Sequence, residues 1–121
     1  MLESRWDMSS GKAYCPSRND IIGLQPGPVE GHEQDGRRPV IVLSPYEYNV
    51  RTGLCIAAPI TRTVRGNPFE CAVPQGLPII GVALSDQTGC KSWTERGGRF
   101  ICQAPASFAD NVAAKLKALL P

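Results

Sequence analysis

Arg37-Arg-Pro-Val-Ile-Val-Leu-Ser-Pro45 is the stretch on which the fold turns. Pro39 opens it, and Val40 to Leu43 are apolar at every position rather than at alternate ones. That is the pattern of a strand covered on both faces, at the centre of a sheet. Ser44-Pro45 ends it. Upstream, Asp20-Ile-Ile-Gly-Leu24 is a second short apolar run, stopped by Gln25-Pro-Gly-Pro28. Between the two lies a loop, Gln25 to Arg38, with two further punctuating residues (Gly31 and Gly36) and the polar series His32, Glu33, Gln34, Asp35. A loop of that length inside a small domain is a first suspect for a functional site.

Downstream, Tyr46 to Gly53 reads as a second loop, and Leu54 to Ala58 as the next strand before Pro59. Phe69 to Val73, Ile79 to Ser85 and Arg99 to Cys102 supply further strands, with Asp86 to Ser92 as a polar connection. The tail differs in kind. Phe108, Val112, Leu116 and Leu119 recur at helical spacing, Pro105 suits a first turn, and Lys115 and Lys117 lie near the negative C-terminal end. The fold class expected is therefore mainly β with a C-terminal helix (α+β), its five to seven antiparallel strands forming a small, strongly curved barrel.

The chain has 121 residues, enough for one hydrophobic core. At 42% hydrophobic and 20% charged residues it has the composition of a folded soluble domain, and its 12 Gly and 11 Pro disfavour an all-helical bundle. Residues 1–13 mix charges, serines and isolated apolar groups without a period and read as a loosely ordered arm, leaving 14–121 as the domain. No apolar run approaches the roughly 20 residues that span a bilayer. No secretory signal is visible, so the cytoplasm is the default location. Cys15, Cys55, Cys71, Cys90 and Cys102 form no CxxC pair and have one histidine, His32, for company. A metal site is therefore not expected, and the thiols are expected to be free and mostly buried. The net charge of +2 proves no polyanionic partner, but nine of the 13 basic residues are Arg, the better bidentate partner for phosphate.

Two sets of residues could carry chemistry. Gly31-His-Glu-Gln34 followed by Gly36-Arg-Arg-Pro39 offers an imidazole, a carboxylate, an amide and two guanidinium groups. A solvated loop whose arginine pairs with Glu33 or Asp35 explains the same residues more blandly. Arg38 stands out because the following Pro39 pushes its backbone toward an extended conformation at the mouth of the central strand. Thr61 ends the next strand; it either satisfies local backbone or turns its hydroxyl to a bound phosphate. Asp86-Gln87 fits turn chemistry just beyond a strand. Trp93 and Phe69 fit core positions better than base-stacking ones.

Taken together, Gly31-His-Glu-Gln34, Gly36-Arg-Arg-Pro-Val-Ile-Val-Leu-Ser-Pro45, Tyr48-Asn49, Thr52-Gly53, Pro59-Ile-Thr61, Gly66-Asn-Pro-Phe-Glu70 and Asp86-Gln87 resemble, in order and spacing, the MazF/PemK toxins of bacterial toxin-antitoxin modules. The resemblance runs from about Tyr14 to the C-terminus. It implies an SH3-like, CcdB/PemK-type barrel that forms a homodimer and binds single-stranded RNA, including mRNA, in a groove at the dimer interface. It further implies cleavage at a short sequence without a metal or other cofactor, leaving a 2′,3′-cyclic phosphate and a 5′-hydroxyl, and neutralisation by a MazE-like antitoxin. By similarity Arg38 and Thr61 are the catalytic pair and Glu33 the accompanying carboxylate, with His32, Gln34, Asp86 and Gln87 lining the RNA path. A guanidinium is a poor base, so Glu33 is the chemically easier proton acceptor.

The sequence departs from the family at two places. The resemblance to some PemK-like members implies a histidine, an aspartate and an arginine two residues before it; His32 and Asp86 are present, but the third position is Leu84. Gly23 and Gln25-Pro-Gly-Pro28 also replace the usual aromatic and acidic residues of the first strand and loop. Two other readings stand beside the ribonuclease: a non-catalytic CcdB-like toxin acting on DNA gyrase through protein contacts, and a degenerate barrel that only binds antitoxin or RNA.

Overall fold

The computed structural model describes residues 14–27 and 36–121. Along these the order is β1 (Asp20–Leu24), β2 (Arg38–Val42), α1 (Tyr46–Thr52), β3 (Leu54–Thr61), β4 (Glu70–Ala72), β5 (Val82–Leu84), a 3-10 turn (Ser85–Gln87), β6 (Gly89–Ser92), β7 (Arg99–Gln103) and α2 (Ala106–Lys117). The expected N-terminal arm, residues 1–13, lies outside the described residues, as do His32, Glu33 and Gln34.

The seven strands pair antiparallel in the order β4-β5-β3-β2-β1-β7, with β6 on β3. The edge strands β4 and β7 do not pair with each other, so the sheet is curved but open, not the closed barrel expected. As its unbroken apolar run predicts, β2 is interior to the sheet and buried on both faces. Ile41 packs with Ile21, Ala58 and Ile60 in one cluster, whereas Val40 and Val42 pack with Ile22, Leu24, Cys55 and Ala57 in another.

The first cluster is closed by α2, whose Phe108, Ala109 and Val112 are buried in it, each large side chain contributing about 1.5–3 kcal/mol by leaving water. The helical period fades toward the end: Leu116 is half-buried, while Leu119 lies past the last turn and is exposed. Tyr14 and Trp93 cover the second cluster, and the Trp93 indole N–H donates to the Asn49 carbonyl at 3.1 Å.

Tyr46 to Gly53, read from sequence as a loop, is instead α1. Its signals are local: Pro45 stands at the N-cap position without a side-chain cap, Glu47 sits in the first turn, Arg51 in the last, and Gly53 adopts a left-handed φ of 72° at the C-cap. Asn49, fully buried, fixes the helix to the sheet. Its amide donates to the carbonyls of Pro16 (3.0 Å) and Ser44 (3.2 Å), and its Oδ1 accepts the Ser44 hydroxyl at 2.6 Å.

Strand limits also differ from expectation, and the strand expected over Ile79 to Ser85 is confined to Val82–Leu84. The third strand continues through Pro59 to Thr61, because Pro59 falls where β6 has left (after Ala57) and β5 has not begun (at Ile60), so its missing N–H breaks no ladder there. The polar connection from Asp86 to Ser92 contains β6, a half-exposed strand without apolar alternation to announce it. All five cysteines are free; Cys15, Cys55 and Cys71 are buried, Cys102 is half-buried and Cys90 is exposed.

Candidate active site

Two strands that separate make the site. The ladder between β2 and β3 comprises Val42 with Ala57, Ile41 with Ala58 and Val40 with Pro59, and there it stops. Beyond it Arg38 pairs with Leu24 of β1, while Ile60 and Thr61 pair with Ala83 and Val82 of β5. Pro39 and Pro59 stand at the split, neither able to donate a backbone hydrogen bond across it. Continuing the count of the β2–β3 ladder brings Arg38 level with Thr61, on opposite banks of the gap. Both line one cleft of about 610 Å³, whose far wall is the apolar Pro78, Ile79 and Ile80. Ile80 is 65% exposed there.

Arg38 is exposed, and its guanidinium makes no hydrogen bond or ion pair with other described residues. Its neighbour behaves differently: Arg37 is half-buried, lies over Gly23 and donates from Nε to the Gly97 carbonyl at 2.9 Å. Thr61 satisfies local backbone. Its Oγ1 accepts the Thr63 N–H at 3.1 Å, which fixes the rotamer, and the hydroxyl hydrogen remains to be donated. Gly81 lies directly behind it with φ of 128°; a Cβ there would stand 2.1 Å from the Thr61 carbonyl oxygen. Only glycine allows that approach.

The turn after Thr61 carries Arg62, Thr63 and Arg65, all exposed, the arginine side chains being without acidic partners among the described residues. It is pinned by Glu70, whose buried carboxylate accepts the N–H groups of Arg65 at 2.8 Å and Gly66 at 3.0 Å. On the other side of β2, Arg38 shares a smaller recess of about 150 Å³ with Lys91 and Arg96. The exposed Arg62 and Arg65 and the half-buried Lys91 and Arg96 thus bring positive charge to Arg38 and Thr61 from three segments. Lys91 and Arg96 carry no signal in the sequence; only the β3–β6 pairing and the following turn bring them round.

Gln87 reaches the main cleft, and both Asp86 and Gln87 line an adjoining recess of about 240 Å³. Leu84 borders both hollows, an apolar side chain where the alternative histidine-aspartate-arginine trio would need a guanidinium. The described residues contain no group of three or more His, Cys, Asp or Glu side chains able to hold a metal ion, and no helix long and apolar enough to cross a membrane.

Residues 17–120 match the model of the PemK-like, MazF-like toxins of type II toxin-antitoxin systems. The chain belongs to this family. The endoribonuclease toxin MazF of Escherichia coli (strain K12) is 44% identical over 84 residues, which cover 69% of this chain and 75% of that one. The crystal structure of MazF from Deinococcus radiodurans superimposes with a TM-score of 0.79 at 41% identity, covering 88% of this chain and 97% of the other. The MazF of a MazE–MazF complex from the same organism gives 0.79 at 36% identity, over 88% and 96%. These MazF/PemK likenesses do not favour the gyrase-directed alternative.

Proposed function

We propose that this MazF/PemK-family chain is an endoribonuclease toxin that cuts single-stranded RNA at a short sequence, without a metal, and so blocks translation. The observation that carries the reading is the convergence of Arg38 and Thr61 on one cleft at the point where β2 and β3 part.

Attack by a ribose 2′-hydroxyl on the adjacent phosphorus needs a proton acceptor, donors for the charge growing on the phosphoryl oxygens, and an in-line arrangement. Arg38 supplies the cationic donors and can engage the phosphate through two N–H groups. Thr61 donates its remaining hydrogen to a phosphoryl oxygen and holds the phosphate against rotation. Glu33, nearby in the chain, takes the 2′-hydroxyl proton. The 5′-oxygen then departs, taking a proton from solvent, and leaves a 5′-hydroxyl and a 2′,3′-cyclic phosphate. Arg62, Arg65, Lys91 and Arg96 hold flanking phosphates, and His32, Gln34, Asp86 and Gln87 line the path of the strand.

The working unit is a homodimer, and the partner that silences it is a MazE-like antitoxin occupying the same groove; the similar MazF from Deinococcus radiodurans forms a complex with MazE. Both act in the cytoplasm. Long single-stranded RNA incubated with the purified chain in EDTA tests the reading. Fragments with 5′-hydroxyl and cyclic-phosphate ends at a recurrent short motif are expected; intact RNA would overturn it.

A further inference from the structure

The 240 Å³ recess shares Thr61, Thr63, Leu84 and Gln87 with the main cleft but not Arg38. It is smaller than the pockets that hold drug-sized ligands and suits a single flat group next to whatever Thr61 touches. Its polar groups are not equivalent. Both oxygens of Glu70 are already taken by the turn it pins. Asn67 accepts the Phe69 N–H through Oδ1 at 2.9 Å, leaving its NH₂ to donate. The Asp86 carboxylate is exposed and accepts no hydrogen bond from other described residues, and the Gln87 amide is equally unengaged.

A carboxylate can only accept. Beside amide groups able to donate, it complements a base edge that carries an exocyclic amino group next to a ring-nitrogen acceptor or a second N–H. Adenine, cytosine and guanine have such edges. Uracil's only edge donor lies between two carbonyl oxygens, so a carboxylate that accepts it has a lone pair on either side, whereas an exocyclic amino group lies at the end of the edge with at most one acceptor beside it.

Resting on the ribonuclease reading above, we infer that this recess is a base-reading subsite in which Asp86 selects an amino-bearing base over uracil at a nucleotide neighbouring the scissile phosphate. Glu70 keeps the opposite wall, with Arg65 and Asn67, in place. An Asp86→Asn side chain can turn its NH₂ to a uracil carbonyl, so this substitution removes the discrimination without emptying the recess.

The experiment is cleavage of a randomised single-stranded RNA pool by the full chain, with 5′ ends sequenced, for wild type and Asp86→Asn. Circular dichroism confirms that the variant, altered at an exposed turn position, is folded. Wild type is expected to disfavour uracil by about 10-fold or more at one position beside the cut. Asp86→Asn should bring that ratio to within about 3-fold while preferences at other positions persist. Gln87→Ala should weaken the same position. An unchanged ratio in Asp86→Asn, or a uniform loss of rate across all motifs, would overturn the inference. Wild-type cleavage that accepts uracil freely beside the cut overturns the inference alone, whereas a wild type that cuts no RNA overturns the ribonuclease reading and the inference with it.

Discussion

Gly81→Ala separates a precisely held hydroxyl from one that is merely nearby. At Gly81 an added Cβ would meet the Thr61 carbonyl oxygen at 2.1 Å, the Thr61 carbonyl carbon at 2.8 Å and the Arg62 Cα at 3.2 Å, all backbone atoms. The Thr61 carbonyl must recede by about 1 Å to relieve the contact, a form of overpacking that costs about 1–3 kcal/mol. The φ of 128° adds roughly another 1–3 kcal/mol for any residue with a side chain. Together these are on the order of 2–6 kcal/mol against the typical 5–15 kcal/mol of a domain, so at about 4 °C per kcal/mol the midpoint should fall by roughly 8–24 °C. Because the displacement falls on the residue that orients the phosphate, cleavage per folded molecule should fall about 100-fold. The assay is initial-rate cleavage of a fluorescent RNA well below the new midpoint, normalised to the folded fraction. A folded Gly81→Ala protein with a rate within about 3-fold of wild type would refute the idea that Thr61 must be placed accurately.

Three further outcomes follow from the geometry. Asn49→Ala removes two bonds to buried carbonyls and the acceptor of the Ser44 hydroxyl, and should cost about 2–4 kcal/mol in urea unfolding; a loss below about 1 kcal/mol would contradict its role in fixing α1. Glu70→Ala frees the turn that carries Arg62 and Arg65; it should lower stability by about 2–4 kcal/mol and raise the KM for RNA more than it lowers kcat, as steady-state cleavage and urea titration will show. Burial pushes the Cys55 thiol up to about 12 from an ordinary value of 9.0. The unfolded chain therefore loses this proton first, and stability should fall between about pH 9 and 12. Cys55→Ala should flatten that part of the urea-midpoint profile, and an unchanged slope would contradict the assignment.

Legibility in the sequence followed how local the determinant was. The Val40-to-Leu43 run announced a strand covered on both faces because each residue's burial is decided by composition alone. The Phe108 and Val112 period likewise announced α2. Helix α1 escaped notice although Pro45, Glu47, Arg51 and Gly53 are sound terminal signals: the segment is a mere two turns, and its stability comes from Asn49 reaching Pro16, Ser44 and, through its carbonyl, Trp93. Strand β6 has no apolar alternation and exists because β3 offers it a partner. The open sheet edge could not be read from strand number. For the site, Arg38 before Pro39 and Thr61 at a strand end were visible as types in the chain, but their convergence depends on where the β2–β3 ladder stops. Gly81 and the Lys91–Arg96 side carry no one-dimensional signal, since a clash with Thr61 and a shared recess with Arg38 are purely tertiary facts.

The most direct trial of the whole account is a double-mutant cycle on RNA cleavage in EDTA, with Arg38→Ala, Thr61→Ala and the combined variant. Two groups gripping one phosphate act as a unit, so each single change should cost about 10²–10³-fold in kcat, and the double should be little worse than the more severe single. Full activity in Arg38→Ala, or losses that simply multiply in the double variant, would contradict it.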